Sequence, residues 1–391
     1  MEVETVRKVS KNSKKEYLET IRLRYGKASK GEKALILDEF CTNCGYNRKY
    51  AIRILNKGIN GNAPSERRAG RPAKYDNAEL KEFLKTTWKA ANLPCSKRLK
   101  AMIPIWLPKY EQAYGRLSDE AVGLAKTISA WTIDRIFGSF RRRYNKRGFS
   151  TTKPGSIIKE FVPIKTDQWD ETRPGYLEAD TVAHCGASMA GMFVFSLDMV
   201  DIATGWTFQR ALWGKGERGV LEAMKDIESI TPFKILGFDC DSGSEFLNWH
   251  LLKYFKHRKS PVQYTRSRPY HKNDNAHVEQ KNWTHVRQYL GYERFDKLQI
   301  VDPMNDLYSN WLYKLVNYFL PSVKLISKDR IGSKIVKKHD EPKTPFQRIL
   351  ESEYIAGGKK DKLKREFEKL NPYTLEAEIR QKIKQIMEIA S

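Results

Sequence analysis

YLEAD (176–180), ILGFDCDSGSEF (235–246) and NAHVEQKN (275–282) are three short segments that each place a carboxylate in a distinctive context. Asp180 and Asp241 end apolar runs, and Glu279 stands early in a segment typical of a helix. A helix lying across two strand ends could bring all three carboxylates together. Carboxylates with few cations nearby repel one another. The pattern therefore predicts a divalent metal site, and all-oxygen ligands favour Mg²⁺ or Mn²⁺.

The same segments carry a resemblance to a known group of enzymes. LEAD (177–180), DSGSEF (241–246) and NDNAHVE (273–279) resemble motifs of the integrase core of DDE transposases. These belong to the superfamily of insertion-sequence transposases and retroviral integrases. The resemblance covers about residues 170–350, with 61 positions between the first two carboxylates and 38 between the second and third.

The resemblance implies both a fold and a chemistry. It implies an RNase H-like core that cuts and joins DNA strands with two Mg²⁺ or Mn²⁺ ions. The implied catalytic and metal-binding residues are Asp180, Asp241 and Glu279. Asp239, two positions before Asp241 on the same strand face, is the main rival for the second ligand. Such cores often carry Lys or Arg seven positions after the Glu, where this sequence has Val286 followed by Arg287.

Apolar runs and helical spacing predict the order of elements in the core. The order is βββαβαβα, with strands at 176–180, 192–201, 206–212, 234–241 and 262–265 and helices at 217–228, at 245–257 and around Glu279. Together with the resemblance, this predicts an α/β fold. It would be an RNase H-like mixed five-stranded sheet with helices on both faces, preceded by an all-α helix-turn-helix region. The resemblance also implies that the strands ending at Asp180 and Asp241 are neighbours.

Composition changes along the chain indicate six segments. We expect a helix-turn-helix domain at 1–60, a basic arm at 61–75, a second helical domain resembling a helix-turn-helix at 76–150, a linker at 151–174, the catalytic core at 175–300 and a helical extension at 301–391. The extension should contain an aromatic-rich helix over 302–320 and further helix over 361–389, interrupted at Asn371-Pro372.

Positive charge is concentrated ahead of the acidic motifs. Residues 1–150 hold 33 Lys and Arg against 15 Asp and Glu, whereas residues 151–300 hold 20 against 19. This asymmetry is typical of a nucleic-acid-binding region joined to a nearly neutral enzyme core. We therefore expect double-stranded DNA as the partner, both as the terminal inverted repeats of an element and as target DNA. Assembly into a homo-oligomer on that DNA is also expected.

Candidate DNA contacts come from several parts of the chain. A helix after Cys44-Gly45 would display Asn47, Arg48, Lys49 and Arg53, which are residue types suited to bases and phosphates. An ordinary helical hairpin with a solvated face is the alternative. The remaining candidates lie in the basic arm, in the second helical domain and around the acidic site: Arg71, Arg135, Arg141, Arg142, Lys272, Lys281 and Arg287. Those near the acidic site could equally be solvated surface.

These patterns favour a DNA transposase of a bacterial-type insertion sequence. Two other functions stay open: a transposase-derived DNA-binding regulator without catalysis, and an RNase H-like nuclease that cuts without joining. No apolar run reaches the roughly 18 residues that a membrane helix needs. The start of the chain also lacks a signal-peptide core. We therefore expect no membrane association and a cytoplasmic, nucleoid-associated protein.

Overall fold

The computed structural model describes residues 10–56, 74–141, 171–241, 243, 245–267 and 276–391. The chain divides into two compact units, Met1–Lys74 and Tyr75–Ser391. Some predicted features lie outside the described residues: Arg71, Arg142, Lys272, most of the 61–75 arm and the 151–174 linker up to residue 170. Within the described part of the chain, no helix is both long and apolar enough to cross a membrane.

The first unit is built from three helices: α1 (Lys11–Lys27), α2 (Lys30–Cys44) and α3 (Arg48–Asn56). Helix α2 begins with a capping box, in which the Ser29 hydroxyl accepts from the N–H of Glu32 and the Glu32 carboxylate accepts from the N–H of Ser29. It ends at Gly45, whose φ of 66° is a left-handed conformation that suits glycine. The predicted helix break at Cys44-Gly45 is thus confirmed. All three helices share a core formed around Ile21, Phe40 and Leu55.

The second unit contains a five-stranded mixed sheet with the spatial order β3-β2-β1-β4-β5. Its strands are β1 (Tyr176–Ala183), β2 (Val194–Asp201), β3 (Thr207–Trp213), β4 (Gly237–Cys240) and β5 (Gln263–Arg266). The first three strands form an antiparallel meander, and β4 and β5 continue the sheet in parallel with β1. The predicted neighbouring of β1 and β4 is confirmed. This α/β architecture is compatible with an RNase H-like core.

Helices cover both faces of the sheet. Helices α8 (Glu217–Ile230) and α9 (Trp249–Lys256) connect β3, β4 and β5. Phe238 of β4 packs on Phe255 of α9 with ring centroids 4.9 Å apart. On the opposite face lies α10 (Ala276–Lys281), which continues as a π-helical segment (Asn282–Arg287) and ends in α11 (Gln288–Leu290).

The remaining helices surround this core within the same unit. They are α4 (Ala78–Ala90), α5 (Ser96–Tyr114), α6 (Asp119–Thr127), α7 (Ala130–Arg141), α12 (Val301–Asp306), α13 (Tyr313–Phe319), α14 (Pro345–Glu351), α15 (Gly357–Lys369) and α16 (Pro372–Ala390). A π-helical segment (Leu307–Leu312) joins α12 to α13. The predicted aromatic-rich helix and the interrupted C-terminal helix are confirmed, and the Ser129 hydroxyl caps α7 by accepting from the N–H of Thr132 at 3.1 Å.

Helices α4 and α5 pack with the C-terminal helices, so the 76–150 segment that composition indicated does not stand apart from the rest of the second unit. The indole N–H of Trp106 donates to the Phe319 carbonyl at 3.0 Å. The hydroxyls of Thr87 and Tyr373 are 2.6 Å apart. Such buried bonds between distant parts of the chain are invisible to a segment-by-segment charge count. They explain why residues from Tyr75 to Ser391 form one compact unit.

A separate two-stranded hairpin was not foreseen from the sequence. It consists of β6 (Leu325–Ile331) and β7 (Lys334–His339), paired antiparallel. Every residue of β7 is exposed. Most residues of the hairpin are exposed on both of its sides. Its sequence therefore lacks the alternation of apolar and polar residues by which half-buried strands are predicted.

Candidate active site

Asp180 and Asp241 lie on adjacent strands. Strands β1 and β4 run parallel, with Glu178 opposite Asp239 and Ala179 opposite Cys240. One position further along this register, Asp180 of β1 comes beside Asp241, the first residue after β4. Side chains at alternate positions share a sheet face, so Glu178 and Asp180 point to the same face.

Asp180 is half-buried and held by two hydrogen bonds. The N–H of Thr181 donates to its Oδ1 at 2.7 Å, and the Asn282 amide donates to its Oδ2 at 2.7 Å. Burial raises the pKa of Asp180 to about 7, and the charges of Asp241 and Glu279 act in the same direction. The two hydrogen bonds oppose this rise because they stabilise the carboxylate. The structure thus brings the three predicted carboxylates within electrostatic reach of one another.

Asp241 begins a tight loop. Its Oδ1 accepts from the N–H of Gly243 at 2.9 Å. A Cβ at Gly243 would come within 2.6 Å of the Glu245 carboxylate and 2.9 Å of Asp241 Oδ1, so a larger residue there would displace one or both of these side chains. Burial raises the pKa of Asp241, and the charge of Glu245 adds to that rise.

Glu245 stabilises the far side of this loop. Its carboxylate is buried and forms an ion pair with Lys215 at 2.6 Å. The same Oε1 accepts from the Thr181 hydroxyl at 3.0 Å. Since Thr181 also donates its backbone N–H to Asp180, one residue connects the Asp180 carboxylate to the loop that carries Asp241.

Glu279 is exposed on α10, and Glu178 anchors the start of that helix to the sheet. The buried carboxylate of Glu178 accepts from the N–H groups of His277 and Val278 at 3.0 and 3.1 Å. Burial raises the pKa of Glu178 to about 8, against these two bonds. Glu178 therefore fixes where α10 crosses β1 and, through it, the position of Glu279.

Lys281 does not lie on a DNA-facing surface, contrary to the expectation from its position in the sequence. It is 8% exposed, and burial lowers the pKa of its ammonium group to about 8. Burial raises the pKa of the fully buried Asp198 carboxyl to about 7, and the charge of Lys281 acts against that rise. Asp198 stands opposite Asp180 in the pairing of β2 with β1. Lys281 is thus a buried counter-charge behind the acidic site.

Arg287 is also occupied within the protein. Its guanidinium donates to the Ala183 carbonyl at 2.7 Å and to the Gly291 carbonyl at 3.3 Å, and lies 4.7 Å from the ring centroid of Tyr292. Val286 is fully buried. The helix turns both side chains toward the protein, which a position count from Glu279 does not reveal.

Four predicted contacts lie on the surface of the first unit: Asn47, Arg48, Lys49 and Arg53. Asn47 accepts from the N–H of Lys49 at 3.0 Å, at the start of α3. Arg48 pairs with Asp38, and the Arg53 guanidinium lies 5.1 Å from the ring centroid of Tyr50.

In the second unit, Arg135 is exposed beside Trp131, with 5.1 Å between its guanidinium carbon and the ring centroid. The backbone of Arg141 ends α7. Trp131 is itself 68% exposed. An exposed aromatic ring beside an exposed guanidinium is a surface suited to nucleic acid.

The donor set at the acidic site fits a hard divalent cation. The ligands would be carboxylate oxygens, and their mutual repulsion already raises the pKa of Asp180. Among the described residues, however, no three His, Cys, Asp or Glu side chains are grouped closely enough to hold a metal ion. A bound cation would have to bring the three carboxylates closer together. The Oδ1 of Asn282, buried and without a hydrogen-bond partner among the described residues, is an additional oxygen at this site.

Sequence reasoning missed several residues that organise this site: Glu178, Asn282, Asp198, Glu245 and Lys215. Two of them carried a usable signal. Glu178 precedes Asp180 by two positions and so shares its sheet face. Asn282 follows Glu279 by three positions and so shares its helix side. The other three come from elements whose approach depends on tertiary packing.

Comparisons with known proteins identify a relative of this chain. No protein-family profile matches the sequence. One chain of a solved structure, titled simian T-cell lymphotropic virus intasome in complex with PP2A regulatory subunit B56 gamma, is similar at 12% identity and a TM-score of 0.32. That likeness covers 61% of this chain and 73% of the other and is too low to bear on the fold.

The uncharacterized protein y4rM of Sinorhizobium fredii (strain NBRC 101917 / NGR234) is 37% identical to this chain over 351 residues. The match covers 88% of this chain and 96% of the relative, so it includes residues of both units. The chain therefore belongs to the same protein family as y4rM.

Proposed function

We propose that the chain is a DDE-type DNA transposase with an RNase H-like core, which cuts DNA at element ends and transfers the strands to a target. The observation that carries the proposal is the position of Asp180. Its carboxylate lies on the strand beside Asp241, and Asp241 and Glu279 both raise its pKa, which burial takes to about 7. Like charges held close together in a partly buried site are costly unless something neutralises them. A functional site is a common reason for keeping them.

The protein groups around the carboxylates supply positioning. Thr181 and Asn282 fix both oxygens of Asp180, and Gly243 fixes one oxygen of Asp241. Glu178 fixes the start of the helix that carries Glu279. Carboxylates held in this way lose little conformational freedom when they engage a substrate, which favours catalysis by preorganised charge.

Asp180, Asp241 and Glu279 would hold two Mg²⁺ or Mn²⁺ ions. When bound, these ions would activate a water or a DNA 3′-hydroxyl and stabilise the leaving oxygen at phosphorus. The chain's own share is to orient the ligands and to keep Lys281 behind the site rather than in it. No covalent protein–DNA intermediate is required.

The exposed cations of α3 would recognise the DNA. Arg48, Lys49 and Arg53 are of the types that bind phosphates and base edges. All three are exposed on one short helix that follows a glycine-ended helix, as in a helix-turn-helix. The exposed Arg135–Trp131 pair would add a contact from the second unit.

A strand-transfer assay tests the proposal. Labelled duplexes taken from the DNA that flanks this reading frame would be incubated with the full chain and Mg²⁺. We expect cut and joined products that disappear with EDTA and in Asp241→Asn. Glu217→Gln, which removes one exposed acidic charge from α8, is the matched control and should keep full activity.

Each other product pattern contradicts the proposal in a specific way. Cut product without joined product would indicate a nuclease. A bound complex without any product would indicate a DNA-binding regulator. Activity that survives exhaustive chelation would exclude catalysis by bound divalent ions.

A further inference from the structure

The β6–β7 hairpin is a surface feature that the acidic site does not use. It forms a two-stranded sheet of its own. Its apolar residues Ile326, Ile331, Ile335 and Val336 are between 47% and 67% exposed. A two-stranded hairpin alone is marginally stable in water, and exposed branched apolar side chains add to its cost. Such a hairpin is best explained by a partner that covers it.

The base of the hairpin is rigidly attached to the second unit. Asp340, just after β7, accepts from the N–H of Lys324 at 2.6 Å and pairs with Arg348 at 2.5 Å. Arg348 also donates to the Ser322 carbonyl at 2.9 Å. Arg98 of α5 donates to the Pro321 carbonyl at 2.6 Å. The hairpin therefore projects from a fixed base.

The positive charge of the hairpin favours an anionic partner. Residues 325–339 hold five Lys or Arg and one Asp. None of Arg330, Lys334, Lys337 and Lys338 has an ion-pair partner among the described residues, which is consistent with an external polyanion.

The register shows how the cations are distributed over the two sides. Arg330 stands opposite Ile335, and Lys337 lies two positions further along β7, so these three share one side. The other side carries Asp329 opposite Val336, and Ile331 opposite Lys334. Among the described side chains, the Arg330–Ile335–Lys337 side thus has two cations and no acid.

We propose that the β6–β7 hairpin is a DNA-binding ribbon whose Arg330–Ile335–Lys337 side contacts a DNA duplex. A two-stranded ribbon fits the width of the DNA major groove, and its cations can reach the phosphates on the groove walls. Apolar residues stand on both sides of the ribbon, so it has no single apolar side to insert into a membrane. The inference relies on the proposed function only in choosing DNA as the polyanion.

Binding of the full chain to a labelled mixed-sequence duplex, about three helical turns long, tests the ribbon. Affinity would be measured over a range of salt concentrations and without Mg²⁺. The double variant Arg330→Gln/Lys337→Gln should weaken binding about tenfold. The negative slope of log affinity against log salt concentration should become shallower by about two. Because both residues are exposed, the thermal melting temperature should not change.

Two control variants make the same change in charge elsewhere. Lys359→Gln/Lys362→Gln removes two exposed cations from α15 and should leave affinity and slope within about twofold of the unaltered chain. Lys334→Gln/Lys338→Gln removes two cations from the other side of the ribbon. It should reduce the affinity and the salt dependence less than Arg330→Gln/Lys337→Gln does.

Three results would overturn the inference. Equal salt slopes in the Arg330/Lys337 and Lys359/Lys362 variants would mean that the hairpin does not contact DNA. Equal losses from both sides of the ribbon would refute the assignment of the contacting side. Loss of binding to anionic phospholipid vesicles with unchanged duplex affinity would identify a membrane surface instead. Since no product is measured, a chain that binds through the ribbon but cuts nothing would refute only the proposed function.

Discussion

Two groups of ionisable side chains differ in their exposure to water: those of the acidic site in the second unit and those of α3 in the first unit. Asp198 and Lys281 are buried and Asp180 is half-buried, and loss of contact with water shifts the pKa of each. Arg48 and Arg53 are exposed to solvent. Buried charges depend on a few fixed neighbours, so each should be hard to replace. Exposed charges act in water and should contribute small, salt-dependent increments.

The largest effect should come from Asp180→Asn. The amide cannot carry the negative charge that the proposed site needs, so DNA cutting and joining should fall roughly 10³-fold or more. Duplex affinity should stay within about twofold, because the exposed cations are untouched. Product formation and duplex binding would be measured on the same preparation.

Asp239→Asn tests whether Asp239, rather than Asp241, is the second metal ligand. Asp239 is buried beside Thr265, whose hydroxyl donates to it. If Asp239→Asn abolished activity and Asp241→Asn did not, the second ligand would be Asp239.

The result that would contradict the Asp180 prediction is a folded Asp180→Asn chain that still joins DNA at the original rate. It would show that the Asp180 carboxylate is not needed for the reaction.

Lys281→Met should reduce stability without reducing DNA binding. At pH 8 it removes the charge that favours the ionised form of the buried Asp198 carboxyl. It should lower the free energy of unfolding by about 1–2 kcal/mol, because a carboxyl with a pKa of about 7 can take up a proton at about that cost. At pH 5 Asp198, whose pKa is about 7, is protonated, so the loss should be much smaller. Denaturant unfolding at the two pH values measures this.

The double variant Lys281→Met/Asp198→Asn is the control. With both charges gone, stability at pH 8 should recover most of the loss, as is often found when a buried charge pair is replaced together. Unchanged stability combined with weaker duplex binding in Lys281→Met would instead return Lys281 to the DNA-contact surface.

The sequence predicted the sheet and the three carboxylates because both leave local signals. Apolar runs end at Asp180 and Asp241, and the order of elements follows from alternating strand and helix patterns. Burial of Lys281 leaves no such signal. Exposed and buried lysines look the same in a sequence. Whether Lys281 is buried depends on how closely β2 packs against α10.

The hairpin and the grouping of α4–α7 could not be predicted for a related reason. Strand β7 is exposed throughout and lacks the periodicity of a half-buried strand. The contacts that join α4 and α5 to the C-terminal helices connect residues more than 200 positions apart, as between Trp106 and Phe319. Local composition carries no information about such contacts.

Mg²⁺ should stabilise the chain in a pH-dependent way. The folded-state pKa values of Glu178 and Asp180, about 8 and about 7, exceed the value of about 4 for unfolded carboxyls. The folded state therefore holds the extra protons, and the contribution of these groups to stability falls as pH rises from about 4 to about 8. A cation that replaces the proton should matter most at pH 8.

At pH 8 and Mg²⁺ at about ten times its dissociation constant, the stabilisation should be about 1.4 kcal/mol. At pH 5 it should be close to zero. Melting temperatures with and without Mg²⁺ measure the difference, and Asp180→Asn is the control that should lose it. Equal Mg²⁺ stabilisation of Asp180→Asn would place the cation elsewhere on the chain.

The smallest effect should come from Arg53→Ala on α3. Arg53 is exposed and lies over Tyr50, so its loss should not disturb the core formed around Phe40. Loss of one contact to DNA should weaken binding to element-end duplex by about 1 kcal/mol, with a smaller effect on mixed-sequence duplex if Arg53 reads a base edge. Lys27→Ala, which removes an exposed cation at the end of α1, is the matched control for charge. If the two variants weaken both duplexes equally, Arg53 contributes charge alone, and sequence recognition must come from another surface.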